Sequence, residues 1–499
     1  MIGLNRLTRM KSQLIRKNIF FKPDSKRVLA RFFNLGPERT KKIIHRVLRL
    51  SKEEKLQVLH QLLRNFSSRH RSVVTIWGRN YKTALSHIDD DNLKNREFTN
   101  YERLIIGAYF TMEYSVEAAA IFNPSVIESP DQSQLRDGEK RIILSFRATG
   151  EGHVSSIVFR SAVIDSDLNI HEDKVGHLLE RPRIFKNHQY VKDDFMEKLK
   201  TIHDLDDETV DLIRNKFPET FTYEELRRFI TEIQNENSLP PEEQILIPRI
   251  MWLASSHYEI NYSLDTALSE RVIFPLAATE KNGIEDARFV KFKNERGKTI
   301  YYATYTAFDG VSILPKLLST TDFIHFKVQP INGRIANKGA ALFPRKIHNK
   351  YAMLCRVDGE SNYITFSDDL INWNQEVILL KEPEYPWEFI QLGNCGSPIE
   401  TAKGWLVFTH SVGPMREYTL GALLLDLDEP TKVIGKLAHP LLYPNAEERE
   451  GYVPNVVYSC GQMIHNGHVI IPYAMSDHSS TYATICLKEL LEELTDVPS

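Results

Sequence analysis

The chain has 499 residues, with 63 Lys and Arg against 66 Asp and Glu and a formal net charge of -3. That length exceeds one compact core, so two or three folded units are expected. The balanced charge gives no support to nucleic acid or a membrane surface as the main partner, and 42% hydrophobic with 10% aromatic residues is ordinary for a soluble globular protein.

Four cysteines, Cys355, Cys395, Cys460 and Cys486, lack metal-ligand spacing. They imply neither a zinc site nor a disulfide framework, and a reducing compartment fits them. The segment Met1–Lys11 carries charges without the apolar core of a signal peptide. No stretch approaches the length of a membrane span, so the expected location is cytoplasmic.

Residues 36–66 read as two helices. Ile43, Ile44, Val47 and Leu48, then Leu56, Val58, Leu59, Leu62, Leu63 and Phe66, recur at helical spacing. Gly36-Pro37 opens the first. The box Ser51-Lys52-Glu53-Glu54 opens the second, because its serine and glutamate satisfy the free amides of a helix start. The Lys and Arg on the opposite faces read as a solvated surface in preference to an anion site. Residues 1–99 are expected to form an N-terminal helical region.

Over 100–184 the spacing becomes that of strands. Arg141–Arg147 and Ser155–Arg160 flank a turn with Gly150 and Gly152, and Asn123-Pro124 ends the apolar run from Ala118. Over 185–260 helical spacing returns, with candidates at Asp194–Leu199, Asp207–Phe217 and Tyr223–Ile233. Thr222-Tyr223-Glu224-Glu225 is a second capping box, and Leu239-Pro240-Pro241 breaks the segment. This is expected to be a helical insertion, since strands resume and run from 261 almost to the end.

One internal repeat is visible. Thr320-Thr321-Asp322-Phe323-Ile324-His325-Phe326 matches Ser367-Asp368-Asp369-Leu370-Ile371-Asn372-Trp373 at an offset of 47 residues. With four short strands per unit, that period is the signature of a propeller blade. Ser166-Asp167-Leu168-Asn169-Ile170 is a weaker third copy. The acids Asp322, Asp369 and Asp167 read as caps of turns between blade strands, not as catalysts.

Chemistry concentrates around Gly283-Ile284-Glu285-Asp286-Ala287-Arg288. Adjacent acids raise each other's pKa and the arginine opposes this, so one carboxyl can be tuned to work as a general acid. Propeller ligands bind where the inner strands converge, and charged or amide side chains in apolar strand contexts need partners or a polar channel. Arg147, Asp286, Arg288, Lys338, Arg356, Asn394, His410 and Asn455 are such side chains. Lys338, Arg356 and His410 would make an anion site if they converge, for phosphate or a carboxylate. No phosphate-binding glycine loop or HExxH zinc motif is present. The 20 Tyr and 5 Trp are mostly core packing, although some could stack on sugar rings.

In order along the chain, Asn123-Pro124, Gly283–Arg288, Ala341-Leu342-Phe343-Pro344, Gly393-Asn394 with Pro398, Gly404-Trp405-Leu406 and Asn455-Val456-Val457-Tyr458 resemble glycoside hydrolase family 130. The resemblance covers about 110–175 and 265–470. It implies a mainly β fold: a five-bladed β-propeller over 100–184 and 261–499, with the helical regions added to it. It also implies an enzyme that cleaves β-mannosides with inversion, most members by phosphorolysis and some by hydrolysis. The family's general acid maps to Asp286, which by resemblance protonates the glycosidic oxygen through the mannose 3-hydroxyl; here Ala287 stands where the family has proline. Asn123, Arg147, Glu285, Arg288, Asn394 and Asn455 map to substrate binding, and Lys338, Arg356 and His410 to phosphate binding.

Lys338 replaces a common arginine and keeps the charge without its two-pronged geometry, and Arg356 is followed by Val357 where relatives have proline. A hydrolytic member would need a carboxylate base, for which Glu448 and Glu450 are the candidates. The expectation is thus an inverting β-mannoside phosphorylase forming mannose 1-phosphate. An inverting β-mannosidase is the alternative, and a sugar-binding propeller without chemistry is disfavoured by the Glu285-Asp286 pair. No metal or organic cofactor is implied, phosphate would be the co-substrate, a small oligosaccharide is the partner, and the helical regions offer a surface for a homo-oligomer.

Overall fold

The computed structural model of the chain describes residues 13–203, 205–235, 240, 244–335 and 337–494. The Met1–Lys11 segment and two residues of the Leu239-Pro240-Pro241 break lie outside the described residues. The fold is mainly β, with two groups of helices.

Pro37–Arg49 and Lys52–Phe66 are helices, and Gly36 stands before the first with φ 76°. The Ser51 box closes as expected: Ser51 N–H donates to Glu54 at 2.7 Å and Glu54 N–H to the serine hydroxyl at 3.2 Å. With Val73–Ser86 and Asn100–Tyr109 these helices bury Ile44, Val47, Trp77, Ile105 and Ile106 in a core of their own. Buried charge fastens this layer to the β body. Arg27 Nε donates to Glu117 at 2.7 Å, and Arg160 from a body strand donates to the same carboxylate at 2.8 Å.

Five antiparallel meanders follow among the described residues. The first runs through Ala120–Glu128, Lys140–Thr149, Ser155–Ile164 and Ile170–Glu172; the second through Gly283–Lys293, Thr299–Phe308, Ile313–Thr320 and His325–Pro330. The third uses Ala341–Leu342, Tyr351–Cys355, Asn362–Ser367 and Val377–Lys381, the fourth Gln391–Asn394, Gly404–Val412, Tyr418–Leu425 and Val433–Lys436. The fifth combines Val457–Tyr458, His468–Met475 and Ser479–Cys486 with Ile15–Arg16 from the start of the chain, Ile15 opposite Thr484. First and second touch through one parallel pair, Gly283 with Ser155.

The repeat acids cap turns as expected at two positions. Asp322 accepts from the N–H groups of Ile324 and His325 at 2.8 Å each, and Asp369 from those of Ile371 and Asn372 at 2.6 and 2.7 Å. The third copy differs: Asp165, not Asp167, accepts from Asp167 and Asn169 N–H at 2.9 and 2.8 Å. Asp165 occupies the place that a hydroxyl residue holds in the other copies, and its longer reach takes over the cap.

Between the first two meanders lie helices Lys192–His203, Asp207–Arg214, Tyr223–Asn235 and Ile247–Ala254. They bury Phe195, Leu199, Phe221, Leu226 and Ile250 in a separate core. The Thr222 box forms with Glu225, whose carboxylate accepts Thr222 N–H at 2.8 Å. Strands Arg183–Phe185 and Tyr258–Asn261 extend the outer edge of the second meander, and the Trp252 indole N–H donates to Asp309 at 2.8 Å. Among the described residues no helix is long and apolar enough to cross a membrane.

Candidate active site

The first strands of four meanders, with Lys338 and Arg356 flanking strands of the third, line a cavity of about 230 Å³. Two of them carry a β-bulge at the cavity, between Phe122 and Ser125 and between Glu285 and Arg288. A bulge inserts a residue and re-aims its side chain. The re-aimed residues, Asn123 and Asp286, take left-handed backbone at φ 50° and 55°, and Asn455 does so at 64°. Asn and Asp tolerate that conformation better than other non-glycine residues, because a short polar side chain can bond locally. The sequence therefore places an amide or carboxyl at each kink, and the two meet: Asn123 Nδ2 donates to Asp286 Oδ1 at 2.7 Å.

Around this pair the charges interlock. Arg147 donates to Glu285 at 2.9 Å and lies 3.6 Å from Asp286. Lys338 Nζ binds the other Glu285 oxygen at 2.6 Å. Arg288 is buried behind the cavity, where it donates to the Asp286 carbonyl at 3.0 Å, the Cys395 carbonyl at 2.7 Å and the Tyr458 hydroxyl at 2.8 Å. Burial pushes the Asp286 pKa up, but Arg147, Arg288, the Asn123 amide and Lys338 outweigh it, and the net direction is down.

On the far side are Arg356, Asn394 and His410. His410 Nδ1 faces the Asn394 carbonyl at 3.2 Å, which makes Nδ1 the donor; Nε2 then accepts from Gln391 at 3.0 Å. Gly393 makes room for the ring, since a Cβ there would lie 2.4 Å from the imidazole. Burial, then the Arg356 and Arg288 charges, hold His410 well below the usual histidine pKa, so it is neutral at physiological pH. Several buried polar atoms here have no partner within the protein: Arg147 Nε, Arg356 Nε and both amide atoms of Asn394. Buried polar groups are normally satisfied, so these are suited to a polar guest. Among the described residues no group of three or more His, Cys, Asp and Glu side chains converges as a metal site.

Of the residues singled out from the sequence, Asn123, Arg147, Glu285 and Asp286 line the cavity with Lys338, Arg356, Asn394 and His410. Asn455 stands beside it and accepts from Arg449 at 2.9 Å. Glu448 and Glu450 are not in the lining. Glu448 is buried and occupied by Arg16 at 3.0 Å, the Tyr473 hydroxyl at 2.6 Å and Asn445 N–H at 2.9 Å, while Glu450 is exposed.

The sequence reading missed Asp477, Gln391, Arg416, Tyr418 and Tyr458, which also line the cavity. Asp477 matters most. Burial, then the neighbouring Asp286 charge, push its carboxyl up to about 6 against the pull of Arg147 and Arg416. Its signal was a lone acid two positions after the strand His468–Met475, a position that looks like a turn.

A family model described as beta-1,4-mannooligosaccharide phosphorylase matches residues 250–496. A 1,2-beta-oligomannan phosphorylase of Thermoanaerobacter sp. (strain X514) is 37% identical over 217 residues, covering 42% of this chain and 71% of that protein. A beta-1,2-mannobiose phosphorylase of the same organism is 34% identical over 245 residues, 48% of this chain and 78% of that one. Among solved structures, the beta-1,2-mannobiose phosphorylase of Listeria innocua in complex with beta-1,2-mannobiose is similar at 21% identity and a TM-score of 0.45, over 76% of this chain and 93% of that one. With more than two thirds of such relatives covered at over 30% identity, the chain belongs to glycoside hydrolase family 130.

Proposed function

We propose that this chain cleaves β-mannosides by phosphorolysis with inversion, releasing mannose 1-phosphate. The observation that carries the reading is one cavity holding a carboxyl, Asp286, and two cations, Lys338 and Arg356, with unsatisfied donors around it. The family relatives named above as phosphorylases support it. The terminal mannosyl ring lies against Asn123, Asp286 and Asp477. Asp286 gives its proton, through the sugar 3-hydroxyl, to the glycosidic oxygen. Phosphate held by Lys338 and Arg356 attacks the opposite face of the anomeric carbon. The C1–O bond to the leaving sugar breaks as the C1–O bond to phosphate forms, and the proton released by the phosphate hydroxyl restores Asp286. The geometry follows inverting glycosidases, with phosphate where water would be activated. Glu285 holds Arg147 and Lys338 in place, and His410 acts as a neutral ring orienting Gln391 and Asn394.

The scaffold in this reading is a five-bladed β-propeller whose blades are the five meanders, over 100–184 and 261–499, with Ile15–Arg16 completing the fifth. The N-terminal helical region 1–99 and the insertion 185–260 are accessory and supply subunit contacts. Phosphate supply and a charged product suit the cytoplasm. Hydrolysis would need a carboxylate base at the cavity, and the engagement of Glu448 with Arg16 and Tyr473 disfavours it for that task. The test is incubation with β-1,2- and β-1,4-linked manno-oligosaccharides with and without phosphate. Phosphate-dependent mannose 1-phosphate is the expected product; free mannose formed equally in phosphate-free buffer overturns the reading.

A further inference from the structure

Two strand-joining loops share one unusual backbone. Gly150 and Gly413 start them with nearly identical angles, φ -113° and ψ -156° against φ -111° and ψ -162°. Each then places two residues in left-handed backbone: Gly152 and His153 at 67° and 58°, Met415 and Arg416 at 59° and 56°. Both loops join the second and third strands of a meander. Arg416 lines the cavity, and His153 is its counterpart in the first meander. Non-glycine residues in left-handed backbone are costly and persist mainly where function holds them.

His153 meets a second feature, from far along the chain. The Tyr452 hydroxyl lies within hydrogen-bond distance of His153 Nδ1, at 3.2 Å, with ring centroids 5.6 Å apart and planes at 31°. Tyr452 is 65% exposed, yet its backbone is pinned on both sides. Gly451 before it packs under Ser476, where a Cβ would lie 2.5 Å from the Ser476 carbonyl. Val453 after it donates its N–H to the same carbonyl at 3.0 Å and lines the cavity. The next residue after Ser476 is Asp477. A large ring is thus held in solvent beside the wall of the sugar pocket, at a fixed place and with no core to pack into.

We infer that the Tyr452–His153 pair is a stacking platform for the leaving-group side of the substrate, binding the apolar C–H face of a neutral pyranose next to the ring in the cavity. The cavity is about 230 Å³, below the usual range of roughly 300–1,000 Å³ for sites that enclose a drug-sized ligand. One sugar ring and an anion fill it, and the next sugar must lie at the mouth. An exposed aromatic face beside polar groups is what such a sugar needs.

The inference rests on the phosphorylase reading for its assay, which is the reverse reaction from mannose 1-phosphate and a manno-oligosaccharide acceptor. Tyr452→Ala is expected to raise the acceptor KM about tenfold, the size of one aromatic contact, while the KM for mannose 1-phosphate stays within twofold. Tyr452→Phe keeps the ring and should stay near wild type; His153→Ala frees the tyrosine and should raise the acceptor KM less than Tyr452→Ala does. An unchanged acceptor KM in Tyr452→Ala, or an equal rise in both constants, overturns the platform. If the wild type makes no product, the phosphorylase reading fails by itself. Calorimetric titration of wild type and Tyr452→Ala with mannotriose then decides the platform: equal affinities refute it, weaker binding by the variant upholds it.

Discussion

Replacing Asp477 by Asn should stabilise the protein and impair it at the same time. A free aspartate ionises near 3.9, whereas burial and the Asp286 charge push Asp477 up to about 6. The folded-state value is raised, so the stability this group contributes is fully present below about 4. It is lost as pH rises towards 6, because the unfolded chain releases the proton first. Two units correspond to about 3 kcal/mol at most above pH 6. Asparagine fills the same space and carries no charge to repel Asp286, so the variant escapes that loss. The expected result is a melting temperature a few degrees above wild type at pH 7.5, with the gain shrinking steadily towards pH 4. The carboxylate also faces the sugar site, so the mannoside KM should rise in the stabilised variant, a trade between stability and activity common at functional sites. Thermal unfolding across pH 4–8, beside steady-state kinetics, checks both. A variant no more stable than wild type at pH 7.5, or one whose gain does not depend on pH, would refute the raised Asp477 pKa and its assignment to burial and repulsion from Asp286.

Asp286→Asn should lower turnover on an unactivated mannoside by roughly 10²–10⁴, the range for losing general acid catalysis, and should lower melting at neutral pH, because Arg147, Arg288, the Asn123 amide and Lys338 favour the carboxylate that is lost; near-normal turnover would remove Asp286 from the acid role. Arg356→Ala should raise the apparent KM for phosphate far more than that for the mannoside, since a fixed cation holds the anion below the anomeric carbon; equal effects on both would mean that Arg356 serves the pocket as a whole. Glu448→Gln should keep turnover but lose roughly 1–3 kcal/mol of stability, as its bonds to Arg16 and Tyr473 weaken. Lost turnover at an unchanged melting temperature would return Glu448 to the catalytic candidates.

Much of the local structure was legible because it rests on short-range rules. Ser51 and Glu54, or Thr222 and Glu225, need only each other, and four residues suffice to read them. The repeat acids were legible for the same reason, and the one error, Asp167 for Asp165, came from aligning letters where the reach of a side chain decides. The cavity residues could be listed as polar groups in apolar strands, since burial demands partners for them. Their pairing could not be read. Arg147 meets Glu285 across 138 positions, and Asn123 meets Asp286 across 163. Asp477 was missed because a lone acid in a turn after a strand looks ordinary: its charge becomes costly only when folding buries it and brings it beside Asp286. Glu448 failed in the opposite way. It was a candidate only as the base of a hydrolytic member, but the start of the chain returns to pair with the last meander and brings Arg16 to it.

The low pKa of Asp286 looks at first like an argument against a general acid, which must hold a proton. It becomes consistent once the source of the shift is separated. Desolvation by itself favours the protonated form, and Arg147, Arg288, the Asn123 amide and Lys338 reverse it. Two of those four, Arg147 and Lys338, line the cavity that would receive the anion, and Arg356 faces the same space. A bound phosphate brings negative charge into the field of those cations and offsets their pull on Asp286, leaving desolvation to raise its pKa. The sugar strengthens this by displacing water from a small cavity, where charges interact more strongly than in solvent. The cations therefore have two consequences from one placement. In the proposed reading they hold the nucleophile under the anomeric carbon, and they keep the acid ionised until the nucleophile arrives. A hydrolase built on the same residues would lack the second effect, because neutral water cannot cancel the cations. On the proposed mechanism, the acid thus gains its proton in the complex where phosphate can attack.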